Sequence, residues 1–215
     1  MNRFLQRLLS VVAASFVLAG AAQGAAAANM AATPDIFVRD VSNEVLEAIR
    51  ADKQLAAGDP ARVQKLVDDK ILPYTDFVRM TQLAAGRGWR QATPEQRQQL
   101  ITEFRILLMR VYSGALSQVR DHKVELKPFR AQPTDTDVIV RSALVASRGE
   151  PIPLDYRLTK TDAGWKIYDV NVAGVWLVEN YRTQFAQAIN AGGIDGLIKQ
   201  LADRNRALEA AAKKG

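Results

Sequence analysis

Few residues in this chain could do covalent or acid–base chemistry, and their surroundings decide what they can be. The single histidine, His122, sits in the charged run Arg120-Asp121-His122-Lys123. Placed there it reads as a solvated loop residue, because general-base work needs a shielded partner. No nucleophile-elbow motif accompanies it, so a serine triad has no frame. The chain has no cysteine, which removes thiolate nucleophiles, disulfides and Cys-ligated metals. Gly86-Arg87-Gly88 is too short for a phosphate-binding loop. The acid pair Asp68-Asp69 lies beside Lys65 and Lys70 and reads as a solvated face. Asp169 beside Tyr168 is the pair that could move a proton at a carbonyl carbon, given a cone-shaped α+β pocket around it. Without a second titratable partner, Asp169 reads first as an acceptor for a strand-edge or helix-terminal donor.

The elements that would have to position such groups read as helices, then strands, then helices. Thr33-Pro34-Asp35 opens a first helix, with Phe37, Val41, Val45 and Ile49 at helical spacing. Gly58-Asp59-Pro60 stops it and starts a second, carrying Val63, Leu66 and Val67. Pro73 breaks that pattern, and a third stretch from Tyr74 to about Ala84 places Phe77, Met80 and Leu83 in register. A tight turn is expected at Gly86 and Gly88. Thr93-Pro94-Glu95-Gln96 then combines a cap, a proline at the first helical position and a capping-box glutamine. The helix it starts is predicted to run to about Val119, with Leu100, Phe104, Leu107, Leu108, Val111 and Tyr112 on one wide apolar face.

From Lys123 the period becomes two. Val124 and Leu126 form one strand, Val138 to Ala146 a second, Ile152 to Thr159 a third, and Trp165 to Val172 a fourth after the turn at Asp162-Ala163-Gly164. In the last strand, strict alternation puts Trp165 and Ile167 on one face, with Tyr168, Val170 and Val172 on the other. Two helices close the chain, separated by Gly192-Gly193. The fold class is α+β: N-terminal helices and two C-terminal helices packed on one face of a curved antiparallel sheet of four or slightly more strands.

Composition places the chain in a compartment. Arg3 and Arg7, the apolar run Leu8 to Ala22 and the small residues Ala25 to Ala28 have the three parts of a secretory signal. The run is short of the ~20 residues a membrane span needs, so residues 1–28 read as a leader removed on export, and 29–215 as a single domain. Removing 28 of 215 residues leaves 187, enough for one sizeable core. The net charge of +6 falls to +4 with the loss of Arg3 and Arg7. Acids and bases alternate along the chain, with no basic stripe interleaved with aromatics, so nucleic acid is not an expected partner. The excess is in apolar residues. Periodicity cannot distinguish a filled core from a lined cavity, and the residues alone give an exported α+β domain with no catalytic centre.

Two blocks carry the reading further. GWKIYDVNVAGVWLVENYRTQF, Gly164 to Phe185, and ILPYTDFVRMTQLAAGRGWRQATPEQRQQLITEF, Ile71 to Phe104, resemble the MlaC or toluene-tolerance family, periplasmic phospholipid carriers of the Mla lipid-asymmetry pathway. With the flanking helices the likeness spans essentially the whole exported chain. Two departures stand out: Ala84 to Gly88, where relatives often have a shorter Leu-Gly turn, and Trp176, where a smaller residue is common. The resemblance implies a deep apolar cavity between sheet and helices, with phospholipid tails inside and the head group in solvent. It implies an inner-membrane Mla ABC transporter complex and an outer-membrane Mla lipoprotein with porin as partners. No cofactor is implied beyond bound phospholipid as cargo, nor any enzymatic step; the carrier is expected to be periplasmic and monomeric. A diacyl lipid exposes about thirty methylenes at ~0.8 kcal/mol each, roughly 20 kcal/mol or more, so it does not cross water unaided. The cavity should therefore lie near the top of the ~300–1,000 Å³ range of ligand sites or above it.

Given that fold, the side chains whose apolar faces would meet beneath the sheet are Phe77, Met80, Phe104, Leu108, Val111, Tyr112, Val140, Leu144, Leu154, Tyr156, Tyr168, Val170, Val172 and Val175. Three alternatives stay open at this point. One is an NTF2-like enzyme with a polar pocket at Asp169 and Tyr168. Another is a hopanoid-type lipid carrier of the same family, and the third an envelope interaction module with a filled core.

Overall fold

A computed structural model describes residues 28–212, so the leader, apart from Ala28, and the last three residues lie outside the described residues. Helix α1 (Pro34–Ala51) starts with proline at its first position, where the missing N–H costs nothing. Its apolar stripe buries Phe37, Val38, Val41, Leu46 and Ile49. Asp52 and Asp59 cap α2 (Lys53–Ala56) and α3 (Pro60–Leu66) through backbone N–H groups. Beyond α3 the chain widens into a π-helical turn, Val67–Ile71, and tightens into a 3-10 turn, Leu72–Tyr74.

Helix α4 (Phe77–Ala85) is capped by Asp76, and its buried residues include Met80, Ala84 and Ala85. Leu83, placed in register from the sequence, is instead 38% exposed, although Met80, three residues before it, is buried. After Gly86 at φ 56° the chain forms a short helix, α5 (Arg87–Gln91), rather than a simple turn. A Cβ on Gly88 inside it would come within 2.6 Å of Ile189 Cδ1 and 2.9 Å of Ile194 Cδ1, so those side-chain ends would have to shift to admit one. Helix α6 (Pro94–Tyr112) has the full capping box between Thr93 and Gln96. It stops at Tyr112, and residues Ser113–Gln118 continue as a 3-10 segment instead of carrying the α-helix to Val119. Gly114 sits in that segment, where its low helix propensity weakens continuation.

The sheet has six strands: β1 (Lys123–Leu126), β2 (Asp137–Val140), β3 (Ser142–Val145), β4 (Ile152–Thr161), β5 (Gly164–Val172) and β6 (Val175–Trp176), all paired antiparallel. The extra strands beyond four have simple origins. The stretch expected as one strand is interrupted at Arg141, where the Asp155 carboxylate accepts from the Ser142 N–H. Its two halves, β2 and β3, keep one register on β4. Strand β6 is the return arm of a hairpin turning at Ala173, which has φ 51°, and Gly174. Helix α7 (Leu177–Ala212) is broken by non-helical backbone at Gly192 and Gly193, giving the two segments expected.

Among the described residues, buried hydrophobic side chains fall into three clusters. One joins α4, α5, α6 and α7 around Leu100, Phe104 and Phe185. A second lies between α1 and the sheet around Phe37, Val140 and Leu158. The third gathers Ile49, Leu55, Val63 and Leu66 from α1, α2 and α3. The space between them is where the site lies. Among the described residues no helix is long and apolar enough to cross a membrane.

Candidate binding cavity

A cavity of about 330 Å³ opens between the clusters, and residues from all three line it. Eight of the side chains expected beneath the sheet face it: Phe77, Met80, Leu108, Tyr112, Leu144, Leu154, Tyr156 and Val170. Side chains across this apolar gap lack packing partners, and a hydrocarbon guest would supply those contacts. The volume sits at the low end of ligand sites, not near the top as expected. The rings of Phe77, Tyr112 and Tyr156 all project into the wall and take up room there.

Six expected residues do not line the cavity. The apolar arc of α6 serves two neighbours. Phe104 faces α7, with its ring centroid 4.9 Å from Tyr181 and 5.1 Å from Phe185, while Leu108 and Tyr112 face the hollow. Val111 turns outward and is 39% exposed. Val140 is fully buried in the solid cluster between α1 and the sheet. Val172 and Val175 pair with each other in the β5–β6 hairpin, beyond the cavity, and Val175 is 51% exposed.

Tyr168 is displaced by a β-bulge. Arg157 pairs with Asp169 and Leu158 with Ile167, leaving Tyr168 without a partner on β4. The extra residue reverses the alternation, so Ile167 and Val170 share the cavity wall although strict alternation separates them. Tyr168 lies under the Arg79 guanidinium instead, 3.9 Å from ring centroid to Cζ. Burial raises its pKa.

The same bulge settles where Asp169 points. Its Oδ1 accepts from the N–H groups of Val170 and Val178 at 2.9 and 3.0 Å, and its Oδ2 from Arg157 at 3.0 Å. It is fully buried, and desolvation raises its pKa against the pull of those donors. The carboxylate thus caps the first turn of α7, outside the cavity lining, as the helix-terminal acceptor expected of it. Asp169 and Tyr168 do not line the cavity, and the Asp169 oxygens are taken up by the Val170, Val178 and Arg157 donors. His122 is anchored through its backbone, its carbonyl accepting from Arg50 at 2.5 Å.

The wall contributions that sequence reasoning missed come mostly from the N-terminal half: Val41, Val45 and Ile49 of α1, Val63 and Leu66 of α3, and Ile71 and Leu72 after the π turn. The α1 stripe was legible as periodicity, but nothing local marks it as facing a hollow. Hydroxyls in the wall are mostly turned back on the protein. Ser42 and Tyr156 share a bond at 3.0 Å, Thr75 donates to the Ile71 carbonyl at 2.8 Å, and Ser113 to the Arg110 carbonyl at 3.1 Å. What faces inward is therefore mostly hydrocarbon, suited to an extended apolar ligand and poor in groups for catalysis.

Comparison with known proteins agrees with this geometry. Over its full length the chain is 26% identical, across 221 aligned residues, to toluene tolerance protein ttg2D of Pseudomonas putida, covering 99% of that protein. It is 23% identical to the intermembrane phospholipid transport system binding protein MlaC of Haemophilus influenzae, over 79% of this chain and 80% of the relative. A solved structure of a phospholipid-binding protein from Ralstonia solanacearum, in complex with a phospholipid, is 49% identical with a TM-score of 0.77. That match covers 80% of this chain and 96% of the other. The family model for MlaC protein matches residues 39–203, and by that match the chain belongs to the MlaC family.

Proposed function

We propose that this protein is a phospholipid carrier, holding acyl tails in the cavity and leaving the head group at its mouth while it crosses water between two membranes. The apolar cavity shared by all three core clusters is the observation that carries the reading. The likeness to a phospholipid-bound relative at 49% identity supports it, as does the family match. The finer parts follow from the same reading. Residues 1–28 are removed on export, and 29–215 act in the periplasm as one phospholipid-binding domain and as a monomer. Lipid passes between an inner-membrane Mla ABC transporter complex and an outer-membrane Mla lipoprotein with porin, and the chain catalyses no reaction on it. Binding two acyl chains requires the wall side chains to part, given the volume of the unfilled cavity.

The test is to purify the exported protein without detergent and examine it by native mass spectrometry and lipid extraction. A stoichiometric glycerophospholipid is expected. A hopanoid in its place would move the cargo to the other lipid class, and protein that is empty in every preparation would overturn the carrier.

A further inference from the structure

Among the described residues the cavity wall contains one charged side chain, Arg105. It belongs to the face of α6 that also presents Leu108, Met109 and Tyr112 to the hollow. The side chain is 34% exposed, so it reaches from the apolar wall to water. Its Nε is buried without a hydrogen-bond partner. A terminal nitrogen lies 3.6 Å from the Asp68 carboxylate on the π turn, beyond hydrogen-bonding distance. Among the described residues, the other buried side-chain polar atoms without partners, His122 Nδ1 and Asn205 Oδ1, belong to residues off the cavity wall. An unmade donor beside hydrocarbon is costly, and helix packing does not need a cation there.

We infer that Arg105 is the residue that reads the cargo's phosphodiester at the rim of the cavity. The inference rests on the carrier reading and deepens it. A guanidinium presents a planar fork that matches two oxygens of a phosphate. With tails against Leu108 and Tyr112, the first anion outside the hydrocarbon falls at the depth of Arg105, where Nε has no partner and a terminal nitrogen holds only the long ion pair to Asp68. Asp68, itself exposed, can move into solvent when the phosphate arrives. This makes the protein select for an anionic phosphodiester beneath the head group while leaving the group beyond it unread.

The test compares delipidated wild-type protein with R105Q and R105K, using two probes with identical acyl chains, a phosphatidylglycerol and a diacylglycerol. The ratio of phosphatidylglycerol to diacylglycerol affinity is expected to fall about tenfold in R105Q, the size of a lost charged hydrogen bond, and less in R105K. Inorganic phosphate alone is expected not to displace the bound phosphatidylglycerol; displacement would mark a site for free anions and overturn the lipid assignment. An unchanged ratio in both variants would make Arg105 a packing residue and overturn the inference. Should R105Q not fold by circular dichroism, R105K alone decides, since it keeps the charge and loses the fork. Wild-type protein that binds neither probe would sink the carrier reading itself.

Discussion

The hydroxyl of Tyr156 lies 3.0 Å from that of Ser42, tying β4 to α1 inside the cavity wall. Ser42→Ala leaves a buried phenol without a partner and is expected to cost about 1–2 kcal/mol, read as a shift in the urea midpoint. Burial also pushes the Tyr156 pKa up to about 12, above the usual value near 10. The folded state therefore holds this proton to higher pH than the unfolded chain does. The stability it contributes is complete below about pH 10 and is lost as pH rises through about 12. Tyr74, Tyr112, Tyr168 and Tyr181 are raised in the same direction, so unfolding should steepen with alkali in any variant. In Tyr156→Phe the loss of stability between about pH 9 and 11 should be smaller by roughly 1 kcal/mol. An identical slope would show that this phenol ionises as freely folded as unfolded.

Val140 and Val170 sit on either side of Tyr156, on the two strands that flank β4, yet Val170 faces the hollow and Val140 a solid cluster. Val170→Trp fills space that is already empty. It is expected to keep stability within about 1 kcal/mol while lowering bound lipid phosphorus by half or more. Val140→Trp has no such space and is expected to cost about 1–3 kcal/mol. Full lipid content in a folded Val170→Trp protein would remove that residue from the cargo's path.

Much of this architecture is local and could be read from the chain. The capping box is one case, with Thr93 and Gln96 exchanging bonds at 3.0 and 3.2 Å; the helix break at Gly192-Gly193 is another. What could not be read depends on partners distant in sequence. Phe104 and Leu108 are one helical turn apart and equally apolar, and only the position of α7 sends one into core and the other into cavity. Tyr168 was misplaced because a bulge is a mismatch between two strands, and β5 alone shows none. Arg105 went unremarked because a lone arginine on an amphipathic helix looks like its solvated neighbours until the hollow beneath it is known.

Gly164 turns the chain between β4 and β5 at φ 108°, and a Cβ there would come within 2.4 Å of the Met30 carbonyl oxygen. That oxygen accepts from the Trp165 N–H at 2.9 Å, so the backbone at Met30 cannot withdraw without breaking the bond. Gly164→Ala combines a left-handed φ with this collision and is expected to cost about 2–4 kcal/mol in chemical unfolding. Trp165 fluorescence should shift as residues near Met30 lift away. A variant as stable as wild type would show that this segment is not held against the sheet.

Asp169 offers a sharper comparison, because its charge and its lone pairs pull in opposite directions. Desolvation raises its pKa in the folded state, so ionisation there is less favourable than in the unfolded chain. Its contribution is complete below the unfolded pKa and declines as pH rises through the folded one. An acceptor without charge should then do nearly as well at neutral pH. Asp169→Asn keeps an oxygen for the Val170 and Val178 N–H groups, and Arg157 retains Glu179 at 2.9 Å and its contact with the Trp176 ring, 4.0 Å to centroid. Its cost should stay near 1 kcal/mol. Asp169→Ala leaves the first turn of α7 without its acceptor and should cost about 2–3 kcal/mol. Urea midpoints of the two variants at neutral pH, and of wild type from about pH 4 to 7, check both halves. Equal losses in the two variants would mean that the charge, not the cap, holds α7 to β5.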